Sequence, residues 1–258
     1  MVEYIVDGPE GAPVLVLSNS LGTRWTMWNG VIPLLTRHFR VVRYNTRGHG
    51  GSRLPESALT LDTLGLDVVD LLDHLDIGQA CFCGISLGGL TGMWLNRYAG
   101  ARFHGLAVAN TAARIGTEAA WRTRAALVRE QGMGEIVAGT PDRWFSAAFI
   151  RQQPAVIPAL LAGLEQGSPL GYAACCEVLA TADLRPQAPQ MARPMLAIAG
   201  ELDPVTTVED ARWLADHAPD TRLVTLPASH LSNVECPGQF AQALVSFFAR
   251  QGVIHAEY

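Results

Sequence analysis

The sequence predicts an α/β fold: a mostly parallel sheet with helices on both faces and an inserted helical cap. Three observations carry this. Short apolar or β-branched runs alternate with helical stretches through the first half of the chain. The alternation stops between residues 112 and 188, where almost no strand signal remains, and it resumes after 189. The expected organisation is a first core segment at 1–111, a helical cap at 112–188 and a second core segment at 189–258.

Taken in order, Val14-Leu15-Val16-Leu17 and Val41-Val42-Arg43-Tyr44 read as strands that end in turn-forming residues. Leu59 to Leu75 carries apolar residues at 61, 64, 68, 71, 72 and 75, a helical stripe. Cys81-Phe82-Cys83 reads as a strand running into Gly84-Ile85-Ser86-Leu87-Gly88, with a helix opening behind it, and Leu106-Ala107-Val108-Ala109 is the next strand. In the cap, Thr117 reads as a helix N-cap, with Trp121, Ala125 and Val128 on one face of the helix that follows. Thr140 reads as a second N-cap with Pro141 at the first helical position, and Ser168-Pro169 repeats that pairing. Helices are expected over Pro154 to Gln166 and Gly171 to Ala182. The second core segment offers a strand at Met195 to Ala199, a helix around 208–217, a strand at Leu223 to Leu226 and a final helix over roughly 237–250.

Composition narrows the function. The formal charge is −5 and no block of lysine or arginine occurs, which argues against non-specific nucleic-acid binding. No apolar run reaches the ~18–20 residues a membrane span needs. The opening residues lack a basic segment followed by an apolar one, so a cytoplasmic protein is expected. Five cysteines cannot all pair, and their spacing suggests neither a disulfide framework nor a zinc site, so they read as buried thiols.

The chemistry starts at Ser86. A G-x-S-x-G pentapeptide between a strand and a helix holds a serine Oγ on a sharp turn at the top of the sheet. The hydroxyl needs a base within reach, and the base needs an orienting acid. For such an elbow the chain order is nucleophile, acid, histidine. Asp203, in the loop after Ala199, and His230, in the loop after Leu226, meet that order. Asn110-Thr111-Ala112 offers no carboxylate, and Glu201 is the weaker acid because it sits nearer its strand end. Among the other histidines, His38, His74, His104, His217 and His255 read as solvated or packing. His49 is the rival base, set aside because it precedes Ser86. An oxyanion hole needs backbone N–H groups aimed at the developing charge. Leu87, after the nucleophile, is one expected donor. Leu21, in the turn Ser18-Asn19-Ser20-Leu21-Gly22, is the other, with Ser20 beside it as a substrate contact.

Several stretches carry a resemblance. Ser18 to Thr23, Arg43 to Gly50, Phe82 to Gly89, Asn110 to Thr117, Gly171 to Cys176, Ala182 to Arg185 and His230 to Glu235 resemble the 3-oxoadipate enol-lactonases of the α/β-hydrolase superfamily. The likeness spans nearly the whole chain. Two departures stand out: Asn45 occupies an expected aspartate position, and the segment before Val14 is too short for two strands, which implies that the usual first strand is missing. The resemblance implies hydrolysis of an anionic enol-lactone to 3-oxoadipate in aromatic-compound breakdown, with no metal and no organic cofactor. On that reading Ser86 attacks, His230 takes its proton and Asp203 holds the ring.

A substrate carboxylate approaching a net acidic chain needs a local cation. Arg143 is the first expectation and Arg114 the second. Trp121 and Trp144 read first as packing residues, with Trp144, beside Arg143, also kept as a substrate contact. The competing readings are a carboxylesterase or neutral-lactone hydrolase with the same triad, and a non-catalytic receptor on the same fold. A halide-displacing enzyme would need a carboxylate at position 86, which serine excludes.

Overall fold

The computed structural model describes residues 1–255. Among the described residues seven strands form one sheet: β1 (Tyr4–Asp7), β2 (Val14–Ser18), β3 (Arg40–Tyr44), β4 (Ala80–Ile85), β5 (Phe103–Ala109), β6 (Met195–Gly200) and β7 (Thr221–Leu226). Their order across the sheet is β1-β3-β2-β4-β5-β6-β7. Only β1 runs antiparallel, pairing with β3; the other pairs are parallel. A single strand thus precedes β2. The central strands are apolar throughout because helices cover both faces: every residue of β4 and of β6 is buried. The edge strand β7 is only partly covered: Arg222 and Thr225 are exposed and Leu226 alone of its residues is buried.

The helices are α1 (Ile32–Leu35), α2 (Leu61–His74), α3 (Leu87–Tyr98), α4 (Glu118–Gln131), α5 (Gly134–Trp144), α6 (Ala147–Gln152), α7 (Ile157–Glu165), α8 (Pro169–Thr181), α9 (Val208–His217), α10 (Ser232–Glu235) and α11 (Pro237–Arg250). Helix α2 starts at Thr60, whose hydroxyl accepts from Thr63 N–H, and it turns Leu64, Val68, Leu71 and Leu72 inward. Its Gly65 faces the Trp94 ring so closely that a Cβ there would lie 1.9 Å from it, which sets how near α2 comes to α3. Helix α11 buries Phe240, Leu244, Phe247 and Phe248. Each side chain of that size contributes on the order of 2 kcal/mol relative to exposure.

Helices α4 to α8 are inserted between β5 and β6. Thr117 and Ser168 cap α4 and α8 as expected, accepting from Ala120 N–H and Gly171 N–H. Two readings are corrected. Thr140 is no N-cap: it lies inside α5, where its hydroxyl donates back to the Ile136 carbonyl at 2.6 Å. Pro141 lies inside the same helix. A Thr-Pro pair marks a helix start only when the preceding residues leave the helix, and here residues 134–139 before it stay helical, anchored by buried Ile136. The second correction concerns Pro154 to Gln166. The helix there starts at Ile157, and the separate α6, capped by Ser146, precedes it.

Register brings the strand ends to one rim. Ser18 lies beside Gly84, Ile85 beside Ala109, Ala109 beside Ile198 and Gly200 beside Leu226. The loops that leave these ends bear Ser86, Asn110, Asp203 and His230, at the rim where open parallel sheets generally bind ligands.

Candidate active site

Ser86 caps the junction of β4 and α3 at φ 57°, a left-handed conformation costly for a residue with a side chain. The surroundings hold it there. Its N–H donates to the Ala109 carbonyl at 2.9 Å, and its own carbonyl accepts from Thr111 Oγ1 at 2.8 Å. The flanking glycines are required by contact: a Cβ on Gly84 would lie 2.0 Å from the Gly88 carbonyl oxygen, and one on Gly88 would lie 2.3 Å from that of Ser18.

Asp203 and His230 meet at the same rim. His230 Nδ1 lies 2.8 Å from Asp203 Oδ2, with both side chains buried. The acid is densely solvated by protein. Its Oδ2 also accepts from Thr206 Oγ1 at 2.9 Å and Asn110 Nδ2 at 3.1 Å, while Oδ1 accepts from the N–H groups of Val205 and Thr206. Burial is the largest single influence and pushes its pKa up. His230 and the hydrogen-bond donors together outweigh it, so the carboxyl titrates below the usual range. Fixed to this ionised acid through Nδ1, the ring presents Nε2 as its free nitrogen. Ser86 and His230 border one cavity of about 250 Å³. Among the described residues, neither Ser86 Oγ nor His230 Nε2 has a hydrogen bond; such bonds often tighten only as substrate docks. A larger cleft of about 590 Å³, between Met27 and Phe149, contains neither residue.

The rival groups lie elsewhere. Glu201 is exposed and accepts from Thr225 Oγ1 at 3.0 Å. His74, His104, His217 and His255 are exposed and His38 is half-buried. His49 is buried, with Nε2 accepting from Gly22 N–H at 2.9 Å. Leu21 lines the cavity, Leu87 directly follows Ser86, and neither N–H has a hydrogen-bond partner among the described residues. Ser20 lines the same cavity.

On the opposite wall the inserted helices supply cations. Arg143 Nη2 donates to Thr140 Oγ1 at 2.9 Å, and the residue lines the cavity with Trp144 and Tyr172. Burial first, then the neighbouring Arg124 charge, lowers its pKa from the ordinary guanidinium value, and the group stays a cation. Arg124 lines the cavity too, stacked over the Trp121 ring at 5.2 Å. Among the described residues neither arginine pairs with a carboxylate. Arg114 is a correction. It lies on a separate surface pocket and pairs with Asp183 at 3.4 Å, because the loop after β5 carries it outside the wall that α4 and α5 form. Sequence reasoning missed Arg124 and Trp121 as cavity residues. Their spacing of three on α4, with no acidic residue one turn away from Arg124, was the available signal.

It also missed Asn110. This buried residue adopts φ 45° at the end of β5. Its Nδ2 donates to Asp203 and to the Ser229 carbonyl, and its Oδ1 accepts from Ser232 Oγ at 2.5 Å. One amide therefore ties the acid loop to the histidine loop. Among the described residues no group of three or more His, Cys, Asp or Glu side chains is placed to hold a metal ion, and no helix is long and apolar enough to cross a membrane.

Comparison with known proteins shows the family. Residues 14–243 match the alpha/beta hydrolase family. The chain is 48% identical over 249 residues to 3-oxoadipate enol-lactonase 2 of Acinetobacter baylyi, covering 96% of this chain and 93% of that protein. It is 44% identical over 242 residues to 3-oxoadipate enol-lactonase 1 of the same organism, covering 94% and 91%. The crystal structure of the enol-lactonase from Burkholderia xenovorans superposes with a TM-score of 0.94 at 41% identity, covering 96% of each chain.

Proposed function

The chain belongs to the alpha/beta hydrolase family, and from that premise we propose that it opens 3-oxoadipate enol-lactone to 3-oxoadipate through an acyl-enzyme. The observation that carries the substrate class is the pair of carboxylate-free guanidiniums, Arg124 and Arg143, in the cavity that Ser86 and His230 share. A neutral ester gives two half-buried cations no counter-charge, whereas one carboxylate can be gripped by both forks. The names of relatives at 44–48% identity support the same substrate.

In this reading residues 112–188 act as a cap over the sheet rim and hold the carboxylate. Ser86 Oγ attacks the lactone carbonyl as His230 Nε2 takes its proton, and Asp203 keeps the ring oriented and stabilises the imidazolium. The tetrahedral oxygen is held by the N–H groups of Leu21 and Leu87, each worth about 3 kcal/mol of barrier. The ring C–O bond then breaks. The leaving oxygen departs as an enolate, takes the proton from His230 and tautomerises to a ketone, which makes the opening hard to reverse. Water, deprotonated by His230, releases the acyl group and restores Ser86.

The test uses freshly generated enol-lactone beside a neutral p-nitrophenyl ester. Replacing Arg124 and Arg143 singly by alanine should raise KM for the lactone about tenfold or more, the loss of one charge-assisted contact, and change the ester little. Ser86→Ala should remove activity on both while leaving the melting temperature in place. Equal effects of the arginine changes on both substrates would overturn the anionic reading and favour a general esterase.

A further inference from the structure

His49 is not the base, yet both of its ring nitrogens are committed. Nε2 accepts from Gly22 N–H at 2.9 Å, and Nδ1 lies 3.2 Å from the Arg47 carbonyl oxygen. A backbone N–H only donates and a carbonyl only accepts. The two partners therefore dictate one state, a neutral ring with its hydrogen on Nδ1. The surroundings agree: burial above all, with the charge of Arg24 adding to it, holds the ring below the ordinary histidine pKa.

The group it grips is the weak point of the oxyanion turn. Ser20 to Thr23 forms a β-turn closed by Thr23 N–H to the Ser20 carbonyl at 3.2 Å, with Thr23 Oγ1 on the same oxygen at 2.7 Å. Gly22 has φ +80°, the value required at the third position of a type II turn. Types I and II differ chiefly by rotation of the central peptide, here the one joining Leu21 to Gly22. Residues upstream are pinned separately: Asn19 accepts from Trp28 Nε1, donates to the Tyr44 carbonyl and takes Gly88 N–H on its own carbonyl. At Gly22 the N–H has one partner, and it is His49.

His49 is braced from the other side by the inserted helices. A Cβ on Gly171, in α8, would lie 2.0 Å from the Gly48 carbonyl oxygen, and Cys175 Sγ donates to the Arg47 carbonyl at 3.6 Å. A residue that merely filled space would not need two matched nitrogens. We infer that His49 is a positioning residue for the oxyanion hole: it holds the Leu21–Gly22 peptide, and with it the adjoining Leu21 N–H, in the orientation that ester and lactone chemistry need. The inference rests on the acyl-enzyme reading above, through the role given to Leu21.

The experiment compares His49→Gln, His49→Asn and His49→Ala on the enol-lactone and on p-nitrophenyl acetate. A glutamine oxygen reaches the place of Nε2 and can accept from Gly22, whereas asparagine reaches only the place of Nδ1. His49→Asn and His49→Ala should lower kcat about ten- to hundredfold on both substrates, short of the full loss of a donor, with KM within about threefold. His49→Gln should recover kcat to within about fivefold of the parent. Equal kcat for the glutamine and asparagine variants, or a loss confined to KM, would overturn the inference. The parent protein gives an independent check that does not depend on a variant folding. Its 15N spectrum should show an unprotonated Nε2 coupled across the hydrogen bond to Gly22 nitrogen, and a protonated Nε2 would overturn the inference as well. A parent enzyme that cleaves p-nitrophenyl acetate but not the lactone would sink the substrate reading alone, and the variant series on the ester would still decide the role of His49.

Discussion

Asn45 shows how much one atom can decide. Its Oδ1 accepts from Trp25 N–H at 2.9 Å, and its Nδ2 donates to Glu3 Oε2 at 2.7 Å. Glu3 also takes Gly51 N–H, so this carboxylate ties β1's leading residues to the 45–52 loop. The aspartate expected here by resemblance would lose a donor and set two carboxylates against each other. Asparagine is therefore matched to Glu3. Asn45→Asp should destabilise the protein by about 1–3 kcal/mol, the cost of an unpartnered polar group beside a like charge. Adding Glu3→Gln should recover most of that, and melts of the single and double variants at pH 7 check it. An unchanged melting temperature in Asn45→Asp would refute the pairing.

At the scale of elements, the close approach of α8 to the 47–49 loop depends on a missing side chain. Ordinary helix propensity favours alanine over glycine by about 1 kcal/mol. At Gly171 the added Cβ would collide with the Gly48 carbonyl, a backbone atom that cannot swing aside. Overpacking of that kind costs about 1–3 kcal/mol or more, so the collision wins. Gly171→Ala should lower the melting temperature and, by lifting α8 from the loop that carries His49, reduce kcat on the lactone about tenfold. Thermal melts and steady-state kinetics on one preparation read both. A more stable and fully active variant would show that propensity outweighs the contact. Helix α5 teaches a related lesson. The Thr140-Pro141 pair reads locally as a start, but the hydroxyl of Thr140 serves a longer helix, donating to Ile136 and accepting from Arg143.

At the scale of the molecule, the inserted helices and the sheet are joined beside the cavity that Ser86 and His230 border. Glu235 Oε1 accepts from Ser146 N–H at 2.8 Å and from Ser229 N–H at 3.1 Å, and its Oε2 accepts from Ser146 Oγ at 2.8 Å. Leu231 N–H donates to the Trp144 carbonyl at 3.0 Å. The segment bearing Arg143 and Trp144 is thereby locked to the loop bearing His230, so the cationic wall and the histidine share one frame. Glu235→Ala should lower kcat/KM on the lactone about tenfold through misplacement of the two walls. It should also speed hydrogen exchange at residues 143–147 and 229–231, measured by mass spectrometry. Unchanged exchange in both segments would refute the tie. The frame also explains how a chain of net charge −5 can present a cationic pocket: Arg124 and Arg143 face the cavity, while Arg47, Arg102, Arg122 and Arg129 are spent on carboxylates.

By itself the sequence determined the sheet strands from β2 to β7, the elbow at Ser86, the order of Asp203 and His230 after it, and the helix caps at Thr117 and Ser168. These are local: side-chain periodicity, turn chemistry and chain order act over a few residues and survive without knowledge of neighbours. Only the tertiary structure decided that Thr140 continues a helix, that Arg124 rather than Arg114 joins Arg143, that Asn110 binds the acid, and that Glu3 selects asparagine at position 45. The last two depend on groups far apart in the chain: Asn45 meets Glu3 across 42 positions, Asn110 meets Asp203 across 93 and Ser232 across 122. No local pattern encodes such meetings, because the free energy that selects them comes from burial and hydrogen bonding between distant segments.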